Sequence, residues 1–330
     1  MNSFSYNSTQ DVAEATALVS LNHQAKFIAG GTNLLDLMKE NVEHPDALID
    51  INHIPNLGDI VVLENGGLRL GALVRNADTA YHPLVQERYP LLSKAILAGA
   101  SAQLRNMASN GGNLLQRTRC YYFYDVATPC NKREPGTGCS AIGGYNRIHA
   151  ILGTSEKCVA VFPSDMCVAL AALNAIVNVS GPHGERTILF ADFHRLPGDT
   201  PELDNTLQHG ELITSIDLPE QGFNQNYSYL KLRDRISYAF ALVSVAAAFE
   251  IDNGLIKKAR IALGGVAHKP WRRTEAEDFL GGKPATKENF EATADIILAG
   301  ATGLKYNSFK IELAKRAIVR NCLTAANPNN

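Results

Sequence analysis

Apolar and polar positions fall into two textures along the chain: short apolar runs mixed with helix-period stretches up to about residue 220, then long alternating runs followed by helical ones. Asp11 and Glu14 form a D-x-x-E capping box before the apolar-periodic stretch Val12 to Leu21, which predicts a helix. Lys26 to Ala29 reads as a short strand, Gly30-Gly31-Thr32-Asn33 as its turn, Leu34 to Lys39 as a helix and Ala47 to Ile51 as the next buried strand. Leu68 to Val74 predicts another strand and Leu91 to Arg105 an amphipathic helix. From Asn110 to about Gly153 no period holds, and an irregular segment of that length in a compact domain needs a functional reason. Asp165 to Leu173 then reads as a helix, Ala175 to Val179 and Thr187 to Phe190 as a hairpin around a Gly-Pro turn, and Glu211 to Leu218 as a strand closed by Pro219.

The polar stretch Glu220 to Gln225 follows a proline and marks a domain boundary. Beyond it Tyr227 to Leu232, Tyr238 to Ile251 and Leu255 to Val266 predict antiparallel strands, the last two joined by Asp252-Asn253-Gly254. Helices are expected near 273–280, 286–299 and 307–325. The expectation is a mixed α/β domain over 1–221 and a smaller α+β domain over 222–330. Its length of 330 residues suits two domains, and 45% hydrophobic with 19% charged residues gives each a core and argues against disorder. Thirty-one basic against 33 acidic residues offer no electrostatic footprint for nucleic acid and no polybasic membrane patch. Pro163 and Asp165 interrupt the longest apolar run, so no segment is expected to span a bilayer. The opening MNSFSYNSTQ has neither a basic region nor an apolar core, which predicts folding in the cytoplasm.

Candidate chemistry lies in three places. The strand–turn–helix at Phe27 to Leu37 puts glycines and helix-start amides together, and reads equally as a tight turn or as a cradle for a pyrophosphate. Ser109-Asn110-Gly111-Gly112-Asn113 repeats that chemistry, and two such loops can close on a phosphate chain from both sides. Gly282-Lys283 is followed by Pro284, so no Walker loop is present, and Gly136-x-Gly138-x-x-Ala141 does not follow a strand, which disfavours a nicotinamide Rossmann domain. The third place is a window holding Cys120, Cys130, Cys139 and Cys158, with Cys167 close behind and Cys322 far away. Its C-x9-C-x8-C-x18-C spacing fits neither a zinc ribbon nor a ferredoxin run. It reads equally as a metal site, a [4Fe–4S] cluster or a zinc, and as buried inert thiols. Arg117, Arg119, Lys132, Arg133 and Arg147 would offset a cluster's charge, and Tyr121, Tyr122, Phe123 and Tyr124 would shield it. His149, His183 and His268 are dispersed and match no hydrolase motif; Tyr238 and Phe240 read as β-core, Cys322 as packing, and Gly264-Gly265-Val266 as a strand end.

Phe27-Ile28-Ala29-Gly30-Gly31-Thr32-Asn33-Leu34 and the Ser109 to Asn113 loop resemble the paired FAD-pyrophosphate loops of molybdenum hydroxylase flavoprotein subunits, the medium subunits of the xanthine dehydrogenase and carbon monoxide dehydrogenase family. Ser164-Asp165, Glu211-Leu212-Ile213 to Pro219, Lys231 ahead of Arg233, and Ser237 to Val243 through Gly264-Gly265 are similar to that family too, so the resemblance covers essentially the whole chain. It implies an α+β fold: a vanillyl-alcohol-oxidase-type (PCMH-like) FAD-binding domain with a [4Fe–4S] loop at about 110–160, followed by the family's smaller C-terminal domain. The Arg117-Thr118-Arg119-Cys120 lead-in and the cysteine spacing resemble the family's aldehyde-oxidising subgroup and move the window toward a [4Fe–4S] cluster on Cys120, Cys130, Cys139 and Cys158. By the same resemblance Lys26 to Leu34 and Ala108 to Asn113 would wrap the FAD diphosphate, Asp165 would contact the ribose or adenine side, and Ile213 and Lys231 would flank the flavin. Ala108 stands where relatives often have Thr, which removes a hydroxyl contact.

The implied function is an electron-transfer subunit of a heterotrimeric molybdenum-dependent aldehyde oxidoreductase. It would pass electrons from a [2Fe–2S] small subunit through FAD to an external acceptor, with a large molybdenum-cofactor subunit holding the aldehyde chemistry and no catalytic residue in this chain. Export to the periplasm would then depend on a signal-bearing partner. The alternatives are a flavoprotein subunit of 4-hydroxybenzoyl-CoA reductase type, a stand-alone FAD oxidase, and a non-enzymatic scaffold with structural zinc.

Overall fold

Three sheets carry the strands of the computed structural model, which describes residues 1–220 and 223–327. The domain boundary expected between residues 221 and 222 falls on Gln221 and Gly222, outside the described residues. The first sheet is parallel, in the order Ser5–Ser8, Ala47–Asp50, Ala25–Ile28. Its crossover helix Val12–Leu21 starts where the capping box placed it: Asp11 Oδ1 accepts the Glu14 amide at 2.8 Å, worth about 1 kcal/mol. The second sheet is antiparallel: Ile60–Val62, Leu68–Gly71, Leu212–Leu218, Ile176–Gly181 and Gly184–Leu189. Leu218 pairs with Leu68, a partner brought back from far along the chain, and a register shift falls at Asn178/Val179.

The third sheet, Trp271–Arg272, Leu255–Gly264, Val243–Asp252 and Asn226–Leu232, belongs to the C-terminal part. Val243 to Phe249 is buried without a break because both faces of the sheet are covered. Val243, Val245, Ala247 and Phe249 meet the helices Thr274–Leu280, Lys287–Ile297 and Phe309–Ala326, while Ala246, Ala248 and Ala262 join the core around helix Asp165–Ala172. Small side chains on that second face let the two halves of the chain close on each other.

Two expected elements differ. The helix expected over Leu91 to Arg105 is two, Pro90–Ala98 and Ala102–Arg105. Gly99 is extended, Ala100 takes a left-handed φ of 49°, and Arg105 Nη1 donating to the Gly99 carbonyl at 2.6 Å holds the break. The strand expected from Tyr238 starts only at Val243. Tyr238 is left-handed, φ 49°, and its carbonyl accepts from the Arg235 guanidinium, so the chain bends before the ladder begins. Tyr238 and Phe240 are 60% and 49% exposed, so they are not the β-core residues expected. The irregular Asn110-to-Gly153 segment contains the short helices Asn110–Leu114, Tyr121–Tyr124 and Ser140–Gly143. No helix among the described residues is long and apolar enough to cross a membrane.

Candidate flavin cleft and cysteine pocket

The two Gly-Gly loops touch. A Cβ on Gly30 would lie 1.9 Å from the Met107 carbonyl oxygen, so only glycine lets the first loop reach the residue that leads into the second. Gly31 has a φ of +70°, which turns the chain into helix Leu34–Lys39, where the Leu35 and Leu37 amides donate to the Gly31 and Asn33 carbonyls at 3.1 and 3.0 Å. On the other side the Asn110 and Gly111 amides donate to Val74 and Ala72 carbonyls at 2.9 and 2.8 Å, and Ser109 caps helix Asn110–Leu114 by accepting from Gly112 N. The loops therefore have a fixed separation set by backbone.

Two cavities open along them. The smaller, about 400 Å³, is walled by Lys26 to Leu34, Ser109, Gly111, Gly112 and Ile213. The larger, about 760 Å³, is walled by Ala108, Asn113, Asp165 and Lys231 and, from the far side, by Tyr238 and Phe240. Thr32, Asn33 and Gly112 belong to both walls, so the cavities adjoin at the loops. Asn33 is the informative side chain. Its Oδ1 accepts the Arg117 amide at 2.8 Å, which fixes the amide orientation and leaves Nδ2 buried with no partner. A buried donor costs about 1–3 kcal/mol when unpaired. Lying on both walls, it suits an anionic group at the junction.

Asp165 and Lys231 form a buried ion pair at 2.7 Å in the larger cavity, with the Tyr229 hydroxyl donating to Asp165 at 2.7 Å and Lys231 also donating to the Ala98 carbonyl at 3.1 Å. Burial, then the Asp165 charge, pushes the Tyr229 phenol well above its ordinary value. The sequence reading grouped Lys231 with Ile213 and set Asp165 apart; here Asp165 and Lys231 are together and Ile213 lies on the other wall. Asn110 lines neither cavity: its amide is occupied by Thr79, Asn76 and the Gly71 carbonyl.

All four cysteines of the window line one small pocket. Cys130 and Cys139 are bridged as opposed backbone residues, and Ser155 and Cys158 likewise. Cys120, Cys130 and Cys158 are buried, Cys139 is partly open, and no disulfide joins them. Backbone amides of Tyr122 and Phe123 face Cys120, those of Ala141, Ile142 and Val159 face Cys139, and that of Ala160 faces Cys158. A hydrogen bond from the Cys158 thiol holds Cys139 well below the usual thiol range, while burial pushes Cys120 up to about 12. Among the described residues no three His, Cys, Asp or Glu side chains converge as a single metal ion requires.

Most of the expected charge offset is spent elsewhere. Arg117 pairs with Glu43 and Asp204 and lies over the Phe123 ring, Arg133 donates to the Tyr122, Phe123 and Thr128 carbonyls, and Arg147 pairs with Asp234. Lys132, paired with Asp204 at 2.5 Å, does line the pocket, and so does Lys157, which the sequence did not single out. Arg119 reaches the other way, over Phe240 and toward Tyr124 and Asp36 in the larger cavity.

A family model for the FAD binding domain in molybdopterin dehydrogenase matches residues 2–221, and one for the CO dehydrogenase flavoprotein C-terminal domain matches residues 227–320. The chain belongs to the flavoprotein subunits of the molybdenum hydroxylases. It is 50% identical over 319 residues, 96% of each chain, to the aldehyde oxidoreductase FAD-binding subunit PaoB of Escherichia coli. It is 28% identical to the glyceraldehyde dehydrogenase medium chain of Sulfolobus acidocaldarius, over 89% of this chain and 85% of that one. Carbon monoxide dehydrogenase of Hydrogenophaga pseudoflava shares the fold at a TM-score of 0.77 and 28% identity, covering 98% of this chain and 97% of that one. Quinoline 2-oxidoreductase of Pseudomonas putida, at 24% identity and TM-score 0.76 over 99% and 98% of the two chains, shows the fold alone.

As a molybdenum hydroxylase flavoprotein subunit, the chain is part of an oxidoreductase and carries an FAD-binding domain. Sequence reasoning named three residues whose places the fold changes: it set His149 and His268 aside as dispersed and gave Arg119 to the cluster's charge. His149 and His268 touch cysteine sulfurs, and Arg119 links the cysteine segment to the larger cavity. No local motif places the two histidines at the sulfurs. Cys167 and Cys322 are buried away from the pocket, as packing residues.

Proposed function

We propose that this chain is the FAD- and [4Fe–4S]-binding electron-transfer subunit of a heterotrimeric molybdenum-dependent aldehyde oxidoreductase. Lys26 to Leu34 and Ala108 to Asn113 hold the diphosphate, with Asn33 Nδ2 as a side-chain donor and Asn110 as a brace rather than a contact. The chain divides at 221/222 into a flavin-binding and a C-terminal domain, and the dinucleotide extends through both cavities. Bound FAD accepts electrons singly or in pairs and so serves as an exchange point between one-electron and two-electron partners. The flavin ring belongs in the larger cavity, because Arg119, Tyr121 and Tyr124 of the cysteine segment form part of that wall and bring the two cofactors close. Ile213 then lies at the adenosine end, and Lys231, held by Asp165, places a fixed cation beside the flavin end.

The observation that carries the reading is the gathering of Cys120, Cys130, Cys139 and Cys158 in one pocket whose neighbours wall the flavin cavity. The names of the relatives speak of FAD and of aldehyde oxidation; the cluster rests on the pocket. Aldehyde oxidation takes place on a molybdenum-cofactor partner and electrons arrive through a [2Fe–2S] partner. Anaerobically purified protein should contain flavin and about four irons per chain, the content of one such cluster. Cys139→Ser should lose the iron and keep the flavin, and Cys322→Ser should keep both. Aldehyde should bleach the flavin only when both partners are added. Bleaching by aldehyde in the isolated chain would instead support the stand-alone oxidase, and zinc in place of iron the scaffold.

A further inference from the structure

Two histidines outside the cysteine spacing meet its sulfurs. His149 Nε2 lies 3.0 Å from Cys120 Sγ, and His268 Nε2 lies 3.3 Å from Cys158 Sγ. They come from separate elements. His149 sits in the loop before Cys158, with its carbonyl accepting from Asn307 Nδ2 at 3.1 Å and from Lys310 Nζ at 2.8 Å. His268 follows strand Leu255–Gly264, and the neighbouring Ala267 carbonyl accepts the Phe162 amide at 3.0 Å. The His149 loop is thus held from the C-terminal part of the chain, and the His268 segment, itself C-terminal, is tied back to Phe162.

The proton positions follow from the surroundings. In both rings Nδ1 is buried without a partner. A proton there would be a donor with no acceptor, and the Nε2 lone pair would face an electron-rich sulfur. A proton on Nε2 makes an N–H···S contact and leaves only an unused lone pair, so the Nε2–H tautomer is assigned. His194, also buried, turns its Nε2 to the Leu114 carbonyl at 2.9 Å, so aiming at sulfur is not a general habit of this chain's buried histidines.

We infer that His149 and His268 donate hydrogen bonds to the Cys120 and Cys158 ligands of the cluster and thereby raise its reduction potential. This rests on the cluster reading above. One-electron reduction adds negative charge to a thiolate-bound core, and donors aimed at ligand sulfurs stabilise that added charge. The two histidines are positioning residues, not ligands.

The test is a potentiometric titration of the full chain, purified anaerobically, followed by the electron paramagnetic resonance signal of the reduced cluster. His149→Leu and His268→Leu should keep iron and flavin contents and lower the midpoint potential. The double variant should show the sum of the two shifts, and Gln at either position, which restores a donor, should recover part of the loss. An unchanged midpoint with full iron content overturns the inference. Iron loss in the Leu and Gln variants alike overturns it too, since it assigns these residues to holding the cluster. Because buried substitutions can impair folding, resonance Raman of the unaltered protein in D2O gives a second reading: the iron–thiolate stretches should shift if exchangeable N–H groups bond the sulfurs, and their constancy overturns the inference. Absence of iron from the unaltered protein would instead remove the cluster reading itself.

Discussion

The candidate flavin cleft and the cysteine pocket share the segment around Cys120, yet they are built in opposite ways. The cleft is backbone work: glycines allow two loops to touch at Gly30 and Met107, backbone amides fix their separation, and Asn33 offers a buried, unspent side-chain donor at their junction. The pocket is side-chain work, with four thiols and two imidazoles converging from stretches that include the far end of a C-terminal strand. The difference predicts how each fails. The cleft should fail when backbone volume changes, the pocket when a functional group changes.

The sharpest way to break that contrast is a reciprocal pair. Cys130→Ser should abolish iron binding while flavin stays near one per chain. Gly30→Val, which sets branched carbons where the Met107 carbonyl stands, should abolish flavin binding while iron is largely retained. Parallel loss of both cofactors in either variant would show the two sites to be one unit. A smaller effect is expected from Asn33→Asp, which keeps the acceptor for the Arg117 amide and replaces the orphan donor by an anion. A hydrogen bond to a charged group is worth about 1.5–3 kcal/mol, so FAD affinity measured by fluorescence after deflavination should fall roughly 10- to 100-fold.

A third effect concerns acid. His194 is fully buried among Phe162, Phe190 and Phe193, and burial pushes it down to about 4. Unfolded, it binds a proton near its ordinary value of about 6.5. Its contribution to stability is therefore complete above pH 6.5 and is lost as pH falls toward 4, at about 1.4 kcal/mol per unit. His194→Phe should flatten that part of the stability curve, measured by denaturant unfolding between pH 7 and 4.5. Since His194 also holds the Leu114 carbonyl at the end of the second loop's helix, acid should release flavin more readily from the unaltered protein than from a protein lacking that titration.

What could be read from the sequence follows the same divide. Asp11 capping Val12–Leu21 and the strand–Gly-Gly–helix at residues 25–39 are local events, decided by neighbours within a turn, and their outlines stood in the residue pattern. The break at Ala100 was invisible because Leu91 to Arg105 keeps an apolar period, while the bend depends on the Arg105 side chain folding back to Gly99. Tyr238 and Phe240 alternate like strand residues, yet the Arg235 contact bends them toward the larger cavity. The cysteines advertised themselves by clustering. His149 and His268 did not, because what makes them relevant is distance in space: Asn307 and Lys310 fix one, and the end of a strand delivers the other.

The Lys310 contacts carry a consequence for how such a protein is made. Its Nζ donates to the His149 carbonyl at 2.8 Å and the Gly265 carbonyl at 2.6 Å, tying the loop over the cysteines to the end of the strand before His268. A ribosome delivers all four cysteines well before it delivers His268, and His268 before Lys310. Since domains fold as they emerge, the thiols are in place while the segments that later seal them are still unmade. On the cluster reading proposed above, iron loading would have a window set by translation order, before helix Phe309–Ala326 docks and Lys310 ties the loop beneath it.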